Sequence, residues 1–187
     1  MDWRDVFAEA HEALRRTVDG VKPDGWLLPT PCADWNVAQV LRHAAGDQVG
    51  YAAAITGGPW PADDPFAPAD VAPDDPRQFL DEALSASAAA YAGVATDAES
   101  VPVPLPTGPF PAWIAAGACA LDAAIHAWDI ATATSQPSPV EASLAAELRP
   151  VAEAIVEPLR GFAFAAAVEP AAGADELTSL VNYLGRV

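Results

Sequence analysis

Leu121-Asp-Ala-Ala-Ile-His-Ala-Trp-Asp129 closes the longest uninterrupted apolar helix pattern in the chain, which the spacing predicts from Pro111 to about Thr132. Asp122 and His126 are four residues apart, so on a helix they lie one turn apart on a single face, with Cβ atoms about 5 to 6 Å apart. That separation suits two ligands of one metal ion. A carboxylate oxygen and an imidazole nitrogen are acceptable to zinc or another borderline divalent cation. Two ligands do not make a site, and a third must come from elsewhere. The other histidines are His11 and His43, and His43 closes the stretch Trp35-Asn-Val-Ala-Gln-Val-Leu-Arg-His43 on another predicted helix. The expectation is a metal held by His43, Asp122 and His126 between two helices.

The rest of the sequence sets the frame for that site. At 187 residues the chain can form one domain with a full core. Hydrophobic residues make up 52% of it, yet no run reaches the roughly 18 uninterrupted apolar residues of a membrane span. The opening Met1-Asp-Trp-Arg-Asp-Val-Phe lacks a basic region followed by an apolar one, so no signal peptide is expected. Cys32 and Cys119 are too few for a disulfide framework, and reduced thiols in the cytoplasm are the expectation. A net charge of −17 argues against nucleic acid and anionic membrane as partners.

In chain order, Trp3, Val6, Phe7, Ala10, Leu14 and Val18 recur at helical spacing and predict a first helix from about Asp2 to Asp19, ended by Gly20. His11 falls near its apolar face and reads as a packed histidine. Trp26 to Pro31 reads as extended, since residues before proline are pushed out of the helical region. A second helix begins at Asn36, with Gln39 placed for a capping box, and runs to about Ile55 before Gly57-Gly-Pro. Residues 57 to 76 are rich in proline and aspartate with Trp60 and Phe66 as large apolar residues. Such a loop is either a lid over the site or a loose surface segment. Asp75-Pro76 opens a third helix to about Val94, and Val101-Pro-Val-Pro-Leu-Pro must be extended. After the Pro111 helix, a fifth helix is expected from Glu141 to about Val156 with Pro150 inside it. A short apolar run over 162–168, loop or strand, and a last helix from Asp175 to Leu184 follow. The reading is all-α: one domain over 1–187, four main helices, and residues 137–187 as a C-terminal helical extension.

Around the three candidate ligands, Cys119 shares their helical stripe as a fourth ligand, a thiol beside the metal or a small buried hydrophobe. Asp129 either orients His126 by accepting its second ring hydrogen or is a surface residue, and Asp47, four after His43, has the same two readings. Arg42 is the basic residue nearest the site in sequence and is expected to point to solvent. With three protein ligands and an open position, the metal would be catalytic and would activate water or a thiol.

The segments Thr30-Pro-Cys-Ala-Asp-Trp-Asn-Val-Ala-Gln-Val-Leu-Arg-His43, His126-Ala-Trp-Asp-Ile-Ala-Thr-Ala-Thr and Leu184-Gly-Arg186 resemble the actinobacterial DinB-like metal-binding proteins related to mycothiol-dependent maleylpyruvate isomerase. The resemblance implies an up-down-down-up four-helix bundle that binds a divalent metal, zinc or nickel, through a helix-two histidine and an i, i+4 pair on a later helix. His43 matches the first ligand and His126 the last, while Asp122 stands where the isomerase has glutamate. It also implies that the metal activates mycothiol as a thiolate towards an electrophile. The expected function is thus a metal- and thiol-dependent transferase or isomerase acting on a small electrophilic substrate in the cytoplasm. No residue beyond the metal set is assigned a catalytic role. Two other readings stand beside it: a metal-dependent hydrolase, and a non-catalytic binding or stress-related bundle that pairs as a homodimer through Trp60, Phe66 or Trp113.

Overall fold

The structure of the chain, a computed structural model, describes residues 2–32 and 35–187, so Ala33 and Asp34 of the Thr30–His43 segment lie outside the described residues. It contains six α-helices and, among the described residues, no strand. These are α1 (Trp3–Asp19), α2 (Val37–Thr56), α3 (Pro76–Ala92), α4 (Ala112–Ala133), α5 (Ala142–Ile155) and α6 (Glu176–Tyr183). Boundaries follow local chemistry. Asp2, Asn36, Asp75 and Asp175 each cap a helix N-terminus through the side chain, and Asn36 with Gln39 closes a full capping box. Gly57 ends α2 in the left-handed conformation at φ 70°.

Cross-helix pairs fix the directions of the bundle. Arg42 lies over Phe79 and Gln48 bonds Ser87, so α2 and α3 run parallel. His43 faces His126 and Gln48 bonds Cys119, so α2 and α4 run antiparallel. Gln136, just past α4, donates to Thr17 O near the end of α1, which makes α1 and α4 parallel. The topology is therefore up-down-down-up, and two parallel neighbours require the long crossover that residues 57–75 provide. α4 is central. It packs on α1, α2 and α5, and although long and apolar enough to cross a membrane by length and composition, 83% of its most apolar window is buried inside the protein. Its small residues let α5 approach: a Cβ placed on Gly117 would lie 2.5 Å from Val151 Cγ2.

One buried side chain ties four helices at the level below the candidate ligands. Gln48 Oε1 accepts from His11 Nε2 (2.9 Å), Ser87 Oγ (2.8 Å) and Cys119 Sγ (3.0 Å), and its Nε2 donates to Cys119 O. Cys119 is thereby directed into the core at Gln48, which favours its reading as a small buried side chain over that as a ligand. Burial is the main reason that His11 is held neutral, its pKa lowered to about 4. In the unfolded chain His11 titrates near 6.5. Between those values the unfolded state binds more protons, so this contribution to stability is complete above about pH 6.5 and is lost as pH falls towards 4. It amounts to about 3 kcal/mol at most. Urea unfolding at about pH 7.5 and about pH 4.5 should therefore show a larger loss for the natural chain than for His11→Gln. Equal losses would mean that His11 is not held neutral in the fold.

Beyond α4 the chain folds back. α5 packs on α4, α6 packs on α5, and the Phe162 to Val168 run forms turns and loop, touching Arg160 at one isolated bridge. The Val101 segment pairs once with Phe110, but it bends at Pro104 and Leu105 and turns at Pro106, which corrects the expectation that all six residues are extended: the chain reverses here to bring Phe110 back against Val101.

Candidate metal centre

His43 comes from α2, while Asp122 and His126 come from α4 at i, i+4. Their ligand atoms lie within 4.8 Å of one another. Asp122 Oδ1 is 3.4 Å from His126 Nε2 and 3.8 Å from His43 Nε2. Donors about 2.0–2.1 Å from a tetrahedral zinc ion stand roughly 3.3 Å apart, so the two Asp122 spacings are close to those of a ligand shell. The two rings meet edge to face, with centroids 4.8 Å apart and planes at 90°. Aspartate is one methylene shorter than glutamate, yet it reaches the histidines because α2 and α4 lie close at this level.

Hydrogen bonds settle which ring nitrogens are free. Pro65 O can only accept, so His43 Nδ1, 2.9 Å away, carries the hydrogen and Nε2 presents its lone pair to Asp122. Burial first, and His126 second, lowers the His43 pKa to about 4, which keeps the ring neutral. On His126, Nδ1 donates to Asp129 Oδ2 at 3.0 Å, so Nε2 again faces Asp122. Burial lowers the pKa of His126, but Asp122 and Asp129 outweigh it and raise it to about 10. A divalent ion bound here would replace the proton on Nε2, facing the same Asp122 carboxylate. Asp122 Oδ2 is buried with no hydrogen-bond partner among the described residues. Leaving such an acceptor unpaired costs about 1–3 kcal/mol, and a cation between the three side chains satisfies it. The residues present fit a divalent ion.

Behind the ligands runs a second layer. Arg186, almost at the end of the chain, forks onto both Asp129 oxygens at 2.8 and 2.9 Å, and both side chains are buried. Burial alone would raise the Asp129 carboxyl, but Arg186 and His126 hold it below the usual range. This is the histidine-orienting arrangement common around metal sites. Asp129 therefore takes the orienting role. Asp47 does not, since Pro65 O already occupies His43 Nδ1. Asp47 lies on the opposite edge of that ring, 3.7 Å from Nε2. Burial, then the neighbouring Asp122 charge, pushes its carboxyl well above the usual range.

Two further residues depart from expectation. Arg42 is not directed to solvent: its side chain donates to Val71 O at 2.8 Å and lies over Phe79. Cys32, read above as a reduced thiol and as part of a motif but given no place at the site, stands in a second cluster with His126 and Asp129. Both Asp129 oxygens already accept charged hydrogen bonds, so the free lone pairs belong to the first cluster. Burial pushes the Cys32 thiol up.

The ligands form part of the wall of a cavity of about 1000 Å³, lined also by Trp35, Tyr51, Trp60, Phe66, Leu105, Phe162, Phe164 and Arg186. The 57–75 loop is held over it. Asn36 Nδ2, Gln39 Nε2, Arg42 Nε and His43 Nδ1, successive positions along one side of α2, donate to the carbonyls of Asp70, Pro68, Val71 and Pro65. Phe66 lies 5.6 Å from the His43 ring and 5.3 Å from Phe162. The loop is thus anchored beside the candidate ligands rather than loose on the surface.

With this geometry in hand, comparison with known proteins gives a consistent answer. The mycothiol maleylpyruvate isomerase N-terminal domain family matches residues 7–131. Two uncharacterized proteins of Mycobacterium tuberculosis, one from each of two strains, are 30% identical to the chain over 166 residues, covering 84% of this chain and 81% of theirs. No solved structure matches it.

Proposed function

This chain belongs to the mycothiol maleylpyruvate isomerase N-terminal domain family, and on that premise we propose that it binds one divalent ion through His43, Asp122 and His126 and serves as a thiol-dependent transferase or isomerase acting on a small electrophile. The observation that carries the reading is the convergence of two neutral-capable imidazole nitrogens and an unpartnered carboxylate oxygen at the wall of a large cavity. When bound, zinc or nickel supplies Lewis acidity at an open coordination position, which lowers the pKa of a thiol or water placed there. The chain's own residues do the rest. Pro65 O and Asp129 fix the two rings, Arg186 fixes Asp129, and the Trp60 and Phe66 loop limits access of water. The family description names mycothiol, and a low-molecular-weight thiol of that kind is the co-substrate assigned here. Cys32 and Cys119, both free thiols, suit a reducing cytoplasm.

The test is metal content of protein purified without a histidine tag, followed by zinc and nickel titration after chelation and by turnover of a small electrophile with and without added thiol. One ion per chain, and turnover that requires both ion and thiol, is the expected result. Turnover indifferent to thiol would move the assignment to a metal-dependent hydrolase. Absence of measurable metal affinity would leave the bundle as a binding module.

A further inference from the structure

The walls of the cavity carry more chemistry than the metal centre uses, and they bear on the substrate; the argument rests on the reading of function just given. Among the described residues lining the cavity, Arg186 is the one arginine or lysine. Its guanidinium is committed: Nε and one terminal nitrogen hold both oxygens of Asp129, and the other terminal nitrogen faces Leu184 O at 3.5 Å. The carboxyl groups of Asp47 and Asp122 also line the cavity and offer an anion no cationic partner. A carboxylate entering the cavity can meet a metal ion at the open position, but a second carboxylate on the same molecule finds no cation left to pair with. Burying an unpaired carboxylate is among the most expensive desolvations in a protein.

Away from the ligands the surface is of the opposite kind. Trp35 packs 4.7 Å from the His43 ring, Phe66 closes its other side, and Phe66 meets Phe162 across the mouth. Leu105, at the bend that follows Val103, adds to the apolar lining. Phe66 and Phe162 remain 51% and 72% exposed, which is unfavourable for large aromatic rings unless an occupant covers them.

We infer that the part of the substrate remote from its reacting atom is an uncharged, aromatic-sized apolar body, and that a dicarboxylate is excluded from this cavity. The probe is N-phenylnaphthylamine, an uncharged fluorophore, titrated into the zinc-loaded protein and again after chelation. Two competitors built on the same ring system, naphthol and naphthalenedicarboxylate, are then compared for displacement. The fluorophore should bind at one site per chain in both metal states, and naphthol should displace it at concentrations at least about tenfold lower than the dicarboxylate. Leu105→Glu should weaken the fluorophore at least about tenfold by placing a carboxylate on the apolar wall. Phe162→Ala, at an exposed position that cannot endanger the fold, should weaken it about threefold. Zinc stoichiometry should be unchanged in both variants. Displacement by the dicarboxylate at equal or lower concentration, or fluorophore affinity indifferent to Phe162→Ala, overturns the inference. Zinc measured on the same samples separates the two ideas. A chain that takes no zinc but binds the fluorophore as described overturns the metal reading and retains the apolar occupant; one that takes zinc but no fluorophore does the reverse.

Discussion

Replacing His126 by alanine abolishes stoichiometric zinc binding, with affinity lowered at least about a thousandfold, or about 4 kcal/mol, while the helical circular dichroism spectrum is retained. The ring supplies one of three donors, and the two that remain, His43 on α2 and Asp122 on α4, cannot enclose an ion alone. The bundle does not need the imidazole for its core, which is built from apolar side chains, mostly alanine, leucine and valine, on α1 to α6. Arg186 still occupies both Asp129 oxygens in the variant, so the buried Asp129 charge stays paired. His11→Ala is the matched control, because His11 is equally buried but bonds Gln48 in the core; it should lose stability and keep its zinc. Full occupancy in His126→Ala, measured by elemental analysis after chelation and reloading, would remove the assigned ligand set.

Arg186→Met tests the layer behind the ligands, and its effect falls on stability and metal together. Asp129 is fully buried, and removing its partner leaves an uncompensated interior charge at a cost of about 3–5 kcal/mol. For a chain of this size that corresponds to a fall in Tm of roughly 10 °C. The orientation of His126 loosens as well, and loss of such a supporting contact lowers metal affinity about 10–100-fold. A second substitution separates the two effects. In Asp129→Leu with Arg186→Met both charges are gone, and much of the stability should return, since apolar side chains often replace a buried ion pair without loss. Zinc affinity should not return, because His126 Nδ1 then has no acceptor. An unchanged Tm and unchanged zinc affinity in Arg186→Met would show that the fork onto Asp129 is not formed in solution.

Much of this architecture was readable from local chemistry. The caps at Asn36 and Asp75, the stop at Gly57, and helical periodicity place all six helices to within two residues, because each signal acts within a single turn. The pair Asp122 and His126 is legible for the same reason. Arg186 is different. It reaches Asp129 across 57 residues of sequence, and no spacing rule connects a C-terminal arginine to a helix that precedes it by two others. Cys119 shows the limit of the stripe argument. A common helical face guarantees proximity along one helix, but which neighbour covers each turn is decided by packing, and at that turn the neighbour is Gln48. Asp47 and Arg42 were misjudged because their partners, Asp122 and the Val71 carbonyl, come from other elements.

The attachment of the 57–75 loop has a consequence for how its motion is measured. The four bonds that hold it to α2 run from α2 side chains to loop carbonyls, and the loop amides of Phe66 and Ala67 bond only to Asp64 nearby. Several other positions, Pro59, Pro61, Pro65, Pro68 and Pro73, have no amide hydrogen at all. Hydrogen–deuterium exchange reports the opening of bonds donated by backbone amides, so this segment exchanges rapidly even while it is fixed over the cavity. Its closure is registered instead at the donors, in the chemical shift of His43 Nδ1–H and of the side-chain amides of Asn36 and Gln39.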